Sequence, residues 1–333
     1  MKKLTLIILA LTSVMLFSCQ NDENSENEVR REMIEASGKP KVVLSLDNKE
    51  LEALPLPKDT RETYEQNLVK ALEAYHENPT DIESIIWYGR RKAYLGYYWQ
   101  AISIFTDGIS LYPDSSQLYR HRGHRYITVR KLDEAIADLE MAAELAKEEE
   151  NFTEPDGLPN KAGIPLSNNK FNIYYHLGLA NYLKGDYYKA LEAYRKCMEF
   201  SENPDLLTAT SDWLYMTYSR LGMQAEADAL LADITPDMKI IENDAYHKRL
   251  LMYKGEISPD SLLNLKSIEN DTDKLNIVTQ GYGVGNWYLL KGDTAKAIDI
   301  FKSLVNQNYW PAFGHIAAEA DLLVLDSVAN NIN

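Results

Sequence analysis

Residues Tyr174 to Phe200 read "YYHLGLANYLKGDYYKALEAYRKCMEF". Two upstream stretches align with it: "IIWYGRRKAYLGYYWQAISIFTDGISLYP" from Ile85, and "YRHRGHRYITVRKLDEAIADLEMAAELAK" from Tyr119. Gly89, Gly123 and Gly178 hold the same place, and Ala101, Ala135 and Ala190 follow them after twelve residues. Phe105, Leu139 and Tyr194 come four residues later. Gly89 and Gly123 are 34 residues apart. Gly178 follows Gly123 after 55, one such period with 21 residues inserted. A fixed period of this size marks a chain made by stacking one small unit. The glycine lets a second helix approach the first, and the small residue on that second helix does the same from the other side. Gly96 and Gly185 mark the turn between the helices.

The pattern resembles the tetratricopeptide repeat (TPR), a 34-residue helix–turn–helix unit. Pro113 ends the first unit and Pro79 lies 34 residues before it. The stretch "ETYEQNLVKALEAYHENP" therefore reads as a lone second helix, with Asp59 and Glu62 resembling its capping box. Downstream, Gly185, Gly222, Gly255 and Gly292 form a ladder spaced by 37, 33 and 37 residues. The unit around Gly222 carries Ala227 and Leu231, the one around Gly255 has a poor second helix, and the one at "GYGVG" (281–285) carries Ala297 and Phe301. "WPAFGHIAAEADLLVL" supplies a final helix. The resemblance implies an all-α, right-handed TPR-type superhelix over residues 59–328. It would hold about five to six helix–turn–helix units and a terminal capping helix. One continuous core serves such an array, so no second domain is needed. The segment 147–170, "KEEENFTEPDGLPNKAGIPLSNNK", is a loop insert with a turn expected at Pro155-Asp156-Gly157. It is either functional or a tolerated surface insertion.

The chain begins with "MKK" and a fourteen-residue apolar run, "LTLIILALTSVMLF". That run is too short to span a bilayer stably and fits the h-region of a secretory signal over residues 1–18. Leu16-Phe17-Ser18-Cys19 resembles the lipobox of bacterial lipoproteins, which implies lipidation of Cys19 (palmitate among the acyl groups) and an outer-membrane anchor. Several acyl chains hold a membrane without a transmembrane helix. "QNDENSENE" follows, with four acidic residues and no basic one, so residues 19–58 are read as a lipidated, acidic and irregular tether. The acidic run also resembles the export signal of surface lipoproteins in some Gram-negative bacteria. A plain solvated leash fits it equally.

The formal net charge is −15, and losing Lys2 and Lys3 with the signal brings it near −17. Such a balance argues against nucleic acid, which needs cationic surface. Beyond Cys19 the only cysteine is Cys197, so neither a disulfide framework nor a CxxC metal spacing exists. HExxH, GxSxG, phosphate-loop and EF-hand motifs are all missing from the sequence. No catalytic residue, metal or cofactor is therefore expected. His315 and Glu319 share a helix face, which suits a weak metal pair or a hydrogen-bonded cap histidine. Cys197 stands where the repeat wants a small, buried residue. Tyr97, Tyr98, Trp99, Tyr187 and Tyr188 start the second helices, as packing or as a sugar-stacking platform.

The Arg- and His-rich stretch "YRHRGHR" (119–125) takes its meaning from the repeat. The resemblance places the first helices along a concave groove. Counting Gly123 as position eight puts Arg120, His121 and His124 on that wall. The same rule adds Trp87 and Arg90 from the first unit, and Tyr175, His176, Leu179 and Tyr182 from the third. Arg122 and Arg125 are expected to point elsewhere. Guanidinium groups suit carboxylate recognition, so the wall fits an anionic segment of a partner. TPR proteins that clamp chaperone tails use Lys, Asn, Asn, Lys and Arg; here Ile86, Arg90, His121, Asn172 and His176 stand there, which puts that ligand in doubt. The other reading pairs the wall internally, with the acidic insert at Glu148 to Glu150 folding back.

The sequence is thus read as a TPR lipoprotein of a Gram-negative bacterium, similar to bacterial TPR proteins without an assigned function. The expected role is a membrane-anchored, non-catalytic adaptor that binds a protein or peptide in its groove. Surface glycan binding and a part in outer-membrane protein assembly are the other readings.

Overall fold

Local capping decides where the helices begin. The Asp81, Ser115, Asn168, Asn203, Asp186 and Asp293 side chains each accept a bond from a backbone N–H three residues on, satisfying donors the helix leaves open. The computed structural model describes residues 38–263 and 271–332. Among them are fourteen helices and one two-stranded hairpin. Helix α1 (Lys58–Glu77) precedes six pairs: α2 (Ile82–Tyr94) with α3 (Tyr98–Leu111), α4 (Ser116–Thr128) with α5 (Leu132–Leu145), and α6 (Asn169–Lys184) with α7 (Tyr187–Glu199). Then come α8 (Pro204–Arg220) with α9 (Gln224–Leu230), α10 (Asp244–Tyr253) with α11 (Pro259–Leu262), and α12 (Asp271–Leu290) with α13 (Thr294–Asn306). Helix α14 (Phe313–Ile332) ends the stack. The architecture is the all-α helix-hairpin solenoid of the TPR type.

The repeated glycines seat the repeated large residues. A Cβ built on Gly89 would lie 2.4 Å from Phe105, one on Gly123 2.8 Å from Leu139, and one on Gly178 2.7 Å from Tyr194. Gly285 stands in the same relation to Phe301, at 2.4 Å. Each large partner is almost fully buried, and such burial contributes roughly 2 kcal/mol per side chain. The "GYGVG" stretch lies in the middle of α12, not at its start. There Gly283 makes room for the Arg249 guanidinium of α10, which forms a buried 2.8 Å ion pair with Asp212 of α8.

The turn between helices needs a left-handed residue. Gly96, Gly185, Gly222, Gly255 and Gly292 supply it, but in the second unit Arg130 takes that place at φ 61°. A non-glycine residue there costs roughly 1–3 kcal/mol unless its surroundings hold it. The holding group is far off in sequence. Arg130 donates to the Trp310 carbonyl and to both carboxylate oxygens of Glu319 on α14. Helix α14 packs on α12, α13 and also α6, so the end of the chain folds back onto the inner side of the array.

Two expectations change here. The irregular tether over 19–58 ends earlier, because β1 (Val43–Leu44) and β2 (Glu50–Leu51) form an antiparallel hairpin. Val43 is buried against Ile102, Val129 and Trp310, and the Trp99 and Trp310 indoles donate to the Val42 and Glu52 carbonyls. The apolar socket and these bonds explain why this part is ordered. The signal segment 1–18 and Cys19 lie outside the described residues. Helix α1 begins at Lys58 after Pro57, with no side-chain cap. Asp59 lies inside its first turn, where a carboxylate favours the helix dipole, so it does not serve in a capping box.

Candidate functional site

The first helices of units one to three line up their polar residues around one cavity of about 370 Å³. Arg90, Arg120, His121, His124, Tyr175 and His176 all face it, as the repeat position implies. Trp87 and Tyr182 do not. Trp87 is half-buried beneath Arg90 and Arg91, whose guanidinium carbons lie 4.3 and 4.7 Å from its ring centre. Tyr182 is buried with Trp213 and accepts a 2.9 Å bond from the Tyr282 hydroxyl.

The wall is not an open groove, because the insert crosses it. Arg120 is 8% exposed and pairs with Glu154 at 2.7 Å. Arg90 donates two bonds to the Pro155 carbonyl, at 3.0 and 3.1 Å, and Arg91 donates to the Gly157 carbonyl at 2.8 Å. A bridge between Thr153 and Asn168 closes the base of this loop. The acidic residue that folds back is Glu154; Glu149 instead accepts a 2.7 Å bond from Ser116. Sequence alone leaves this open, since the run Glu148 to Glu150 and the isolated Glu154 lie within seven residues. Only the backbone path chooses between them.

Arginine only donates, so the 2.8 Å contact from Arg120 to His121 Nδ1 makes that nitrogen an acceptor and His121 a neutral ring. Burial, then the charge of Arg120, pushes His121 well below its usual pKa. His176 donates from Nδ1 to the Asn172 carbonyl at 2.5 Å, and burial lowers its pKa to about 3. His124 lies 4.2 Å from His176, ring centre to ring centre, and burial depresses it as well. Phe313 of α14 closes over both rings, with ring centres 5.6 and 5.7 Å away. The Tyr175 hydroxyl accepts from the Trp213 indole at 2.9 Å and donates to Tyr246 at 3.1 Å.

Other residues join the site from beyond the expected stripe. Arg125 lines the cavity, contrary to its expected outward course, while Arg122 does leave the site and grips Asp138 with two 2.7 Å bonds. Glu242, Asn243 and Tyr246 come from the start of α10 and the turn before it. Their signal in the sequence is only that a fifth unit exists.

The other candidates find structural partners. Glu319 is bonded by Arg130, and His315 Nε2 lies 3.0 Å from its carboxylate. Although burial opposes it, these partners hold the Glu319 carboxyl below its usual range. No cluster of three or more metal-type ligands occurs among the described residues. Cys197 is fully buried against Thr210 and the Phe171 carbonyl, and burial raises its pKa to about 12. That suppresses the thiolate. Of the aromatic series at the second helices, Tyr97 is buried and Trp99 bonds to Val42, while Tyr188 is 72% exposed.

Among known proteins, the tetratricopeptide repeat model matches residues 171–204. The comparison with curated proteins finds no match. Among solved structures, "YrrB: a TPR protein with an unusual peptide-binding site" is 16% identical, with a TM-score of 0.41 over 74% of this chain and 95% of that one. MamA is 17% identical, with a TM-score of 0.40 over 61% of this chain and 100% of that one. The anaphase-promoting-complex heterotetramer Cut9–Hcn1 is 16% identical, with a TM-score of 0.44 over 74% of this chain and 37% of that one. The match at residues 171–204 spans α6 and α7, so the model of the tetratricopeptide repeat falls on one helix hairpin of the array.

Proposed function

We propose that the protein is a membrane-anchored, non-catalytic adaptor that binds an extended, acidic segment of a protein partner on its concave wall. One observation carries this reading. The wall already holds such a segment, its own insert, with the Glu154 carboxylate on Arg120 and the Pro155 carbonyl on Arg90. Charge-assisted bonds to a carboxylate fix register, and bonds to a main-chain carbonyl accept any sequence. A partner segment of the same chemistry would take the place of residues 153–157.

The anchor rests on the sequence around Cys19. No helix among the described residues is long and apolar enough to cross a membrane, so an acyl anchor would be what holds the chain at the bilayer. Metabolic labelling with palmitate tests it: wild type should label and sediment with membranes, and Cys19→Ser should do neither. The binding wall is tested by co-purification from crosslinked cells. Arg90→Glu with Arg120→Glu should lose partners that wild type retains; an unchanged partner set would contradict the reading.

A further inference from the structure

The insert does not fill the cavity beneath it. Three guanidiniums face the remaining space, from Arg90, Arg120 and Arg125. Glu154 neutralises Arg120 alone. Arg90 is bonded to a neutral carbonyl. Arg125 rests against the Tyr98 ring at 5.9 Å and forms no ion pair among the described residues. The Nε of Arg120 is buried without a hydrogen-bond partner. The three histidines are neutral and add no charge.

The nearby acids compensate poorly. Burial raises the pKa of both Asp156 and Glu242, while Arg90 and Asn160 respectively pull the other way. Burial also lowers the pKa of Arg120 and Arg125, and the neighbouring arginines depress them further. Arg120 is buried, while Arg90 and Arg125 are half-buried, and like charges gathered where water is scarce are destabilising unless an anion joins them. The lining also includes the apolar side chains of Phe171, Leu206, Ala209 and Phe313. Its volume lies in the range of about 300–1,000 Å³ that small-ligand sites occupy.

We infer that this cavity binds a small oxyanion, a carboxylate or phosphate, with its charged group among Arg90, Arg120 and Arg125 and a short apolar body toward Phe313. The oxyanion shares Arg90 and Arg120 with the peptide wall and adds Arg125, but it would enter with Glu154 and Pro155 still in place.

Thermal-shift and calorimetric titrations of the full chain test it. The probes are inorganic phosphate, acetate, glutarate and benzoate at constant ionic strength against chloride, with a short peptide as free acid and as amide. At least one small oxyanion should give a saturable rise in melting temperature. Arg125→Gln should weaken its binding by about tenfold or more, the equivalent of one charge-assisted bond, and Arg125→Lys by less. Should Arg125→Gln not fold, the ranking of wild type over Arg125→Lys carries the test. No saturable shift with any small oxyanion would overturn the proposal. So would equal shifts in wild type and the Arg125 variants, which mark a general salt effect. Binding of the free-acid peptide alone would also overturn it, leaving a peptide-terminus site.

Discussion

Arg130 and Glu319 meet at 2.8 Å across 189 positions of the chain, both nearly buried. This pair joins the turn of the second unit to the terminal helix, which packs back on α6. It also explains why the turn of the second unit carries an arginine in a conformation that the other turns leave to glycine.

Removing one member of this pair leaves a buried charge unpaired. Arg130→Gln and Glu319→Gln should each lower stability by about 3–5 kcal/mol. The double variant should cost less than the sum, because the pair is coupled. Denaturant unfolding of all four proteins reads the coupling. Strict additivity would show that the ends of the array do not depend on this contact. Arg130→Gly separates the two effects, since it relieves the backbone and deletes the ion pair.

Gly178 is the seat of Tyr194. Gly178→Ala puts a Cβ 2.7 Å from the Tyr194 ring, and overpacking of this kind costs about 1–3 kcal/mol. Tyr194→Leu should cost stability alone yet partly rescue Gly178→Ala. Thermal unfolding shows the rescue, and two simply additive losses would exclude the packing explanation.

The repeat was legible because close packing leaves a periodic trace. A glycine must face each large residue, and the pairs Gly89–Phe105, Gly123–Leu139 and Gly178–Tyr194 keep one spacing. The concave wall was legible in part, since position on α2, α4 and α6 follows from the same count. Its closure was not. Contacts such as Arg120 with Glu154 depend on the path of a loop that has no period. The fold-back of Phe313 over His124 and His176 depends on the summed curvature of six units. Arg125 was misread because one position along a helix decides which neighbour a long side chain reaches.

Stability should fall as the solution is acidified. His176 titrates near 6.5 when unfolded, and burial holds it to about 3 when folded. The unfolded chain therefore takes up the proton first. The neutral ring's contribution is fully present above pH 6.5. It is lost as pH falls toward 3, by up to about 1.4 kcal/mol per pH unit. Depression of His121 and His124 acts in the same direction. Melting temperature should drop between pH 7 and 5, and His176→Gln should flatten that slope. An unchanged slope would mean that His176 is charged in the folded protein.

The binding wall can be tested with its own occupant. Replacing nothing but deleting residues 147–167 removes 21 positions, restores the 34-residue spacing and keeps Asn168 as the cap of α6. A fluorescent peptide covering residues 150–160 should then bind this folded variant in trans, read by anisotropy. A Glu154→Gln peptide should bind about tenfold more weakly, and Arg120→Glu in the host should abolish binding. Failure of the peptide to bind, or equal binding of the Glu154→Gln peptide, would contradict a wall that recognises extended acidic segments.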